Sequence, residues 1–176
     1  MTSPAEKPLD HVVELTTRTG LVIEVRAATE SDEAALETLF ESVSPDDRRF
    51  RFLSARDHIG RDQLAAMTRV DHWRTESFLV FDKATGELVA TAMLACDNAM
   101  DTAEVAISIR SDRKGRGIGW TMLAFLVEEA MRRGVKRLMS IEARENHSAI
   151  ELEREMGFTA RVDNDDPTLM VLEAVF

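Results

Sequence analysis

Apolar Val105, Ile107 and Ile109 alternate with Glu104, Ala106 and Ser108, which is the period of a half-buried strand. A short polar turn later the period changes. Ile118, Met122, Phe125, Leu126 and Ala130 recur at helical spacing, and Gly134 marks the end of that helix. The same reading divides the rest of the chain. Val12–Leu15 and Leu21–Val25 are strands joined through Arg18-Thr19-Gly20, and Asp32–Glu41 is a helix for which Thr29 or Ser31 serves as cap. Ser44-Pro45-Asp46-Asp47 starts another helix, with Ser44 as cap and Pro45 in the first turn, ending near Phe52. A weaker helix covers Gln63–Thr68. Phe78–Phe81 and Glu87–Ala95 are antiparallel strands about the turn Asp82–Gly86. Arg137–Ile141 is a strand, Ser148–Met156 a helix stopped by Gly157, and Phe158–Val162 with Leu169–Leu172 a closing hairpin.

This order contains one strand–helix–strand crossover after an antiparallel meander. It predicts a mixed α/β (α+β) domain and argues against a doubly wound parallel sheet. Between the strand ending at Ile109 and the helix starting at Ile118 lies Lys114-Gly115-Arg116-Gly117-Ile118-Gly119. Glycines at alternate positions allow a tight turn and close backbone approach to a ligand, and the free amides of a helix start suit a phosphate. Helix entry and close packing also use glycine, so the turn has a purely structural reading beside the phosphate one. The spacing is GxGxG where a dinucleotide fold has GxGxxG, and Glu142 is the sole candidate for that fold's acidic residue. The Gly-Lys-Ser/Thr ending of a triphosphate loop is missing.

Length and charge narrow the choice. The 176 residues suit one domain with a real core, and no stretch reaches the length of a membrane span. Met1–Leu9 lacks a signal peptide's apolar centre, which gives a cytoplasmic expectation. A net charge of −10 argues against a nucleic-acid surface but leaves room for a local cluster such as Arg113, Lys114 and Arg116. The single cysteine, Cys96, excludes an internal disulfide and reads as a buried small hydrophobe. His58, His72 and His147 form no ligand pattern, so no metal is expected.

Two patterns then carry a resemblance. Lys114, Gly117 and Gly119 stand where the GNAT family of N-acetyltransferases has Gln or Arg, two residues, Gly, one residue, and Gly or Ala. Asn146, Ala149, Leu152, Gly157 and Phe158 match the family's second signature. The chain resembles that family over roughly residues 21–173. Residues 1–20 are then an N-terminal extension with a short strand, and 21–176 the domain. The run Ser44–Phe52, with Ala103-Glu104-Val105-Ala106, is nearest in appearance to bacterial protein lysine acetyltransferase domains.

The resemblance implies a central, mostly antiparallel, splayed sheet flanked by helices, and transfer of acetyl from acetyl-CoA to an amine. The cofactor coenzyme A would meet Gly115, Arg116, Gly117, Ile118 and Gly119 through its pyrophosphate, with Lys114 and Arg116 adding charge. Ile107, Ser108 and Ile109 would offer backbone to the pantetheine, while Asn146 would bond it or cap the following helix. Glu104 would be the general base; its plain alternative is an exposed strand-end carboxylate. The family often has a tyrosine acid at the position of Glu153, and this chain has no tyrosine. A glutamate there donates a proton only if its pKa is raised. Ser148 is a spare acid or a helix cap.

Trp73 and Trp120 are core anchors or line the acceptor entrance, with packing favoured for Trp120. Phe50 and Phe52 alternate with arginines on the expected acceptor side. The acidic stretches Asp97–Asp101 and Asp163–Asp166 are either solvated loops or a mouth attracting a cationic acceptor. The acceptor is then a lysine-bearing protein, or alternatively a small amine or amino acid. A weakly active CoA-binding regulatory module is the reading outside catalysis. No nucleic-acid or membrane partner is expected, and the chain is a monomer or homodimer.

Overall fold

The computed structural model describes residues 9–52 and 59–176. Eight strands form one sheet: β1 (Val13–Thr16), β2 (Val22–Ala27), β3 (Thr75–Asp82), β4 (Leu88–Cys96), β5 (Thr102–Ile109), β6 (Arg137–Ala143), β7 (Thr159–Val162) and β8 (Leu169–Val175). Helices α1 (Glu33–Glu41), α2 (Pro45–Phe52) and α3 (Arg61–Thr68) come between β2 and β3; α4 (Ile118–Arg132) follows β5, and α5 (His147–Glu155) follows β6. The order across the sheet is β1-β2-β3-β4-β5-β6-β8-β7. Every neighbouring pair is antiparallel except β5 and β6. The mixed α/β order is the one that the alternation and the helix periods predict, and the splayed, mostly antiparallel sheet is the one that the resemblance implies.

The splay sits at one place. β5 and β6 pair only at Thr102–Arg137, Ala103–Leu138 and Glu104–Met139, and then part. Beyond Glu104, β5 still pairs with β4 through Ile109, and beyond Met139, β6 still pairs with β8 through Ala143. Each strand therefore keeps one partner and has a free backbone edge toward the gap. In a sheet interior such edges need another source of hydrogen bonds.

Two cores hold the sheet, one on each face. On one face Ile118, Met122, Phe125, Leu126 and Ala130 of α4 are all buried against β2–β6, as their helical spacing predicts. Phe125 meets Phe78 edge-on at 5.0 Å between ring centres. The other face buries Leu36, Leu39 and Phe40 of α1 and Leu64 and Met67 of α3 over Leu79. Because β3 and β4 are covered on both faces, they read in sequence as apolar runs rather than as alternation. Cys96 lies in the first core with its thiol pKa pushed up by burial, an inert environment.

Local caps place α2, the helix that matters for the site. Ser44 Oγ accepts the amide of Asp47 at 3.1 Å, and Pro45 occupies the first turn. Before α1 the chain instead makes a single 3₁₀ turn, Glu30–Asp32. There Asp32 accepts the Thr29 amide at 2.8 Å and both Arg26 guanidinium bonds, at 2.8 and 2.9 Å. These bonds hold its carboxyl at about 2.

Candidate active site

The gap between β5 and β6 opens into a cleft of about 500 Å³. One end is the glycine turn. Gly115 and Gly117 have φ values of +76° and +82°, a region where an L side chain is strained, and Gly117 is the N-cap of α4. A Cβ on Gly117 would come 3.2 Å from Thr17 Cβ; one on Gly119 would come 3.3 Å from a Leu152 methyl. Thr19 Oγ1 donates to the Arg116 carbonyl at 2.6 Å, so the β1–β2 turn clasps the glycine turn from outside. A chain here leaves α4's first amides open to the cleft, the arrangement that holds phosphate oxygens.

Along the cleft wall run Ile107, Ser108 and Ile109 on the free edge of β5. Val105 is buried while Ile107 and Ile109 are only half-buried, because the cleft takes the place of packing above them. The Ser108 hydroxyl is buried with no hydrogen-bond partner. A buried unpaired hydroxyl on a cleft wall is a binding contact in waiting.

Glu104 stands at the other end, on the last pair before the strands part. It lines the cleft and makes no hydrogen bond or ion pair among the described residues. α2 roofs this stretch. Asp47 in its first turn forms an ion pair with Lys114, Arg49 donates to Glu145 Oε2 at 3.0 Å, and Phe50 and Arg51 line the cleft beneath. Arg51 is half-buried, and among the described residues its one hydrogen bond goes to Met93 Sδ at 3.4 Å. Burial lowers its pKa; the charges of Glu104 and Glu142 oppose that shift.

The far wall holds two carboxyl groups, Glu142 on β6 and Glu153 on α5. Both line the same cleft, close enough for the Glu153 charge to raise Glu142. Ser140 Oγ donates to Glu153 Oε2 at 2.6 Å, and Asn146 Nδ2 donates to Glu142 Oε2 at 3.0 Å. Burial first, then the neighbouring Glu153, raises Glu142 to about 8. Glu153 is raised as well, chiefly by burial.

Residues 38–158 match the acetyltransferase (GNAT) family. The chain belongs to this family. Membership makes the protein an acyl-CoA-dependent transferase in kind. It is 25% identical over 166 residues to an acetyltransferase of Pseudomonas aeruginosa, covering 92% of this chain and 88% of the relative. Among solved structures, the GNAT domain of S. lividans PAT superposes with a TM-score of 0.84 at 22% identity, covering 94% of this chain and 97% of that one. The spermidine N-acetyltransferase of Vibrio cholerae, in complex with CoA and spermine, gives 0.71 at 16% identity, with coverage of 87% and 95%. These two share the fold.

Within the family cleft, the structure gathers Glu104, Ile107, Ser108, Ile109, Lys114, Gly115, Gly117, Ile118, Gly119 and Asn146 around one space. Arg116 is exposed and does not line it. Lys114 does, with its charge already matched to Asp47. The Asn146 side chain makes no capping bond to α5; it holds Glu142 instead.

Trp120 corrects the packing expectation: it lines the cleft with the Arg18 guanidinium 3.9 Å over its ring. Trp73 stacks under Arg133 at 5.1 Å, away from the cleft. Phe52 turns to Phe40 at 5.2 Å, leaving Phe50 alone at the site. Neither acidic loop lines the cleft. Asp97 and Asp163 accept amides of their own turns, Asp166 bonds Thr168, and Asp101 pairs with Lys136. Asp97, Asp163 and Asp166 thus close their own turns, which favours the solvated-loop reading of the two.

Among the described residues no cluster of three metal-ligating side chains occurs, and no helix is long and apolar enough to cross a membrane. His58 lies outside the described residues.

Proposed function

We propose that the protein transfers acetyl from acetyl-CoA to a lysine amine on protein, by direct attack within a ternary complex. The parting of β5 from β6 carries the reading. It puts phosphate-binding amides at one end of a single cleft and an uncommitted carboxylate, Glu104, at the other. Acetyl-CoA fits the residues present: Gly115–Gly119 for the pyrophosphate, the free edge of Ile107–Ile109 and the unpaired Ser108 hydroxyl for the pantetheine. Bound there, it would supply an activated thioester carbonyl.

The chain's own part is to position and deprotonate. A lysine is a nucleophile only when neutral, and its ordinary pKa is about 10.4. Glu104 accepts that proton directly or through water. α2, tied to the glycine turn and to Glu145, covers the cleft and limits water beside the reacting groups.

A small amine is the second reading. The spermidine enzyme shares the fold, and Glu104, with no hydrogen bond or ion pair among the described residues, suits a free cationic amine equally well. Mass spectrometry with acetyl-CoA and panels of lysine-bearing proteins, polyamines and amino acids decides. Acetylated protein supports the first reading and acetylated polyamine or amino acid the second. Acetyl-CoA binding without enzyme-dependent product would overturn both and leave a CoA-binding module.

A further inference from the structure

The cleft holds a positive charge that the mechanism above leaves without a task. Arg51 reaches it from the last turn of α2. A guanidinium is a planar fork of several N–H donors. Among the described residues this one makes a single hydrogen bond, to the thioether of Met93, and lies 5.1 Å from the Phe52 ring. No carboxylate among them forms an ion pair with it; the charges of Glu104 and Glu142 act on it only from a distance. Its basic neighbours differ. Arg49 is held by Glu145, Lys114 by Asp47 and Arg113 by Asp82. Away from the cleft, Arg26 and Arg133 are likewise matched, by Asp32 and Glu129. The remaining donors of Arg51 are left to whatever enters the cleft.

The strand register sets this guanidinium beside the acceptor end. Met93 pairs with Ala106 and Ala95 with Glu104, and residues opposite each other in an antiparallel pair share a face. The bond to Met93 therefore puts Arg51 over the face of β5 that carries Glu104, Ala106 and Ser108. Ala106 lies two residues beyond Glu104, roughly 7 Å along the strand. Glu104 and Arg51 thus face one space from β5 and from α2, opposite in charge and not paired with each other. A molecule that meets both brings a cation to Glu104 and an anion to Arg51. The cation is the amine already assigned to Glu104.

We propose that Arg51 selects the acceptor by a carboxylate lying close to the amine that is acylated. The inference rests on the transferase reading and supplies a feature of the substrate that the reading leaves open. On a protein the carboxylate belongs to an aspartate or glutamate beside the lysine; on a small acceptor it is the carboxylate of a free amino acid. The chemistry of recognition is the same for both, parallel N–H···O bonds from a planar fork to two oxygens. Glu104 repels a carboxylate and Arg51 repels an ammonium, so together they fix which end of the acceptor goes where. A polyamine fits poorly, because its second ammonium meets a like charge. Arg51 binds and orients, and takes no part in bond making.

The test uses the full chain, acetyl-CoA and paired probes that differ in the carboxylate. One pair is a peptide with aspartate or asparagine beside its lysine; the other is lysine and lysinamide. The pair that turns over identifies the source of the carboxylate. Within it, kcat/KM is expected to favour the carboxylate probe by about tenfold or more, the range of a charge-assisted bidentate contact. Spermidine should be the poorer acceptor. Arg51→Gln should raise the KM of the carboxylate probe about tenfold to hundredfold, with kcat and the KM of acetyl-CoA changing far less. Arg51→Lys keeps the charge without the fork and should fall between. Damage to the fold would slow both probes alike, so loss of discrimination is the readout, and melting checks each variant. The comparison of probes on the parent stands whether or not Arg51→Gln folds. Equal use of both members of a pair, or a preference that survives in folded Arg51→Gln, overturns the carboxylate role and leaves the transferase reading in place. A preference for succinyl-CoA over acetyl-CoA that Arg51→Gln abolishes assigns the guanidinium to the acyl chain and overturns its role on the acceptor. Acetyl-CoA bound with no probe acylated overturns both readings.

Discussion

Asp47, in the first turn of α2, forms an ion pair with Lys114 at the head of the glycine turn. The pair joins the roof of the cleft to its phosphate-binding end and commits the one basic side chain that the family pattern puts there. Lys114 can serve a phosphate only by sharing or leaving Asp47, and Asp47 itself repels the ligand. Asp47→Asn is therefore expected to tighten acetyl-CoA binding about two- to fivefold at low salt, with the gain fading as salt rises. Lys114→Gln should weaken binding by less than about tenfold, because the amides carry most of it. Calorimetry across an ionic-strength series checks both, and a hundredfold loss on Lys114→Gln would contradict an amide-centred site.

Gly117 has two duties that a substitution would expose together. Its φ of +82° and the 3.2 Å approach of a would-be Cβ to Thr17 mean that Gly117→Ala strains the turn and pushes on the β1–β2 connection. A stability cost of about 1–2 kcal/mol is expected, together with weaker acetyl-CoA binding. Gly119→Ala is the contrast. It meets only the flexible end of Leu152 at 3.3 Å and an Ile109 methyl at 3.5 Å, so it should melt close to the parent while narrowing the cleft. Equal melting temperatures for parent and Gly117→Ala would refute the strain argument.

These two glycines also show what a sequence discloses. Their spacing, the strand before them and the helix after them are local, and local periodicity exposed α4, β5 and the capped start of α2. The partners were not legible. Thr19 meets Arg116 across 97 positions, and no periodicity links them. Glu142 read only as a candidate acidic residue of a dinucleotide fold, because its place beside Glu153 exists only once α5 packs on β6. Trp120 read as core because its helix is apolar, yet it lines the cleft under Arg18, which the β1–β2 connection brings from far away in sequence. The acidic loops read as a surface feature, whereas their carboxylates close the turns in which they sit.

Glu104→Gln keeps size and removes proton acceptance. Turnover is expected to fall about 10²–10⁴-fold, with acetyl-CoA affinity nearly unchanged because Glu104 is at the end of the cleft remote from the glycine turn. Steady-state kinetics beside calorimetry separates the two effects. A variant as fast as the parent at every pH would leave Glu104 as an exposed strand-end carboxylate and no more.

The carboxyl pair makes a prediction about folding that is independent of turnover. An unfolded glutamate releases its proton near 4.5, whereas folded Glu142 keeps its own to about 8, with burial and the facing Glu153 as the causes. Between those values the folded state binds the extra proton, so stability falls as pH rises through that window. The contribution is complete below 4.5 and lost once the pH passes about 8. One proton gives a slope of at most about 1.4 kcal/mol per pH unit. Glu142→Gln cannot ionise, so its melting temperature should decline less than the parent's from pH 5 to 8.5 and exceed it at the upper end. The difference between the two curves isolates this site from all other titrating groups. Parallel curves across that range would mean that Glu142 loses its proton as readily folded as unfolded, and the far wall of the cleft would then carry two charges.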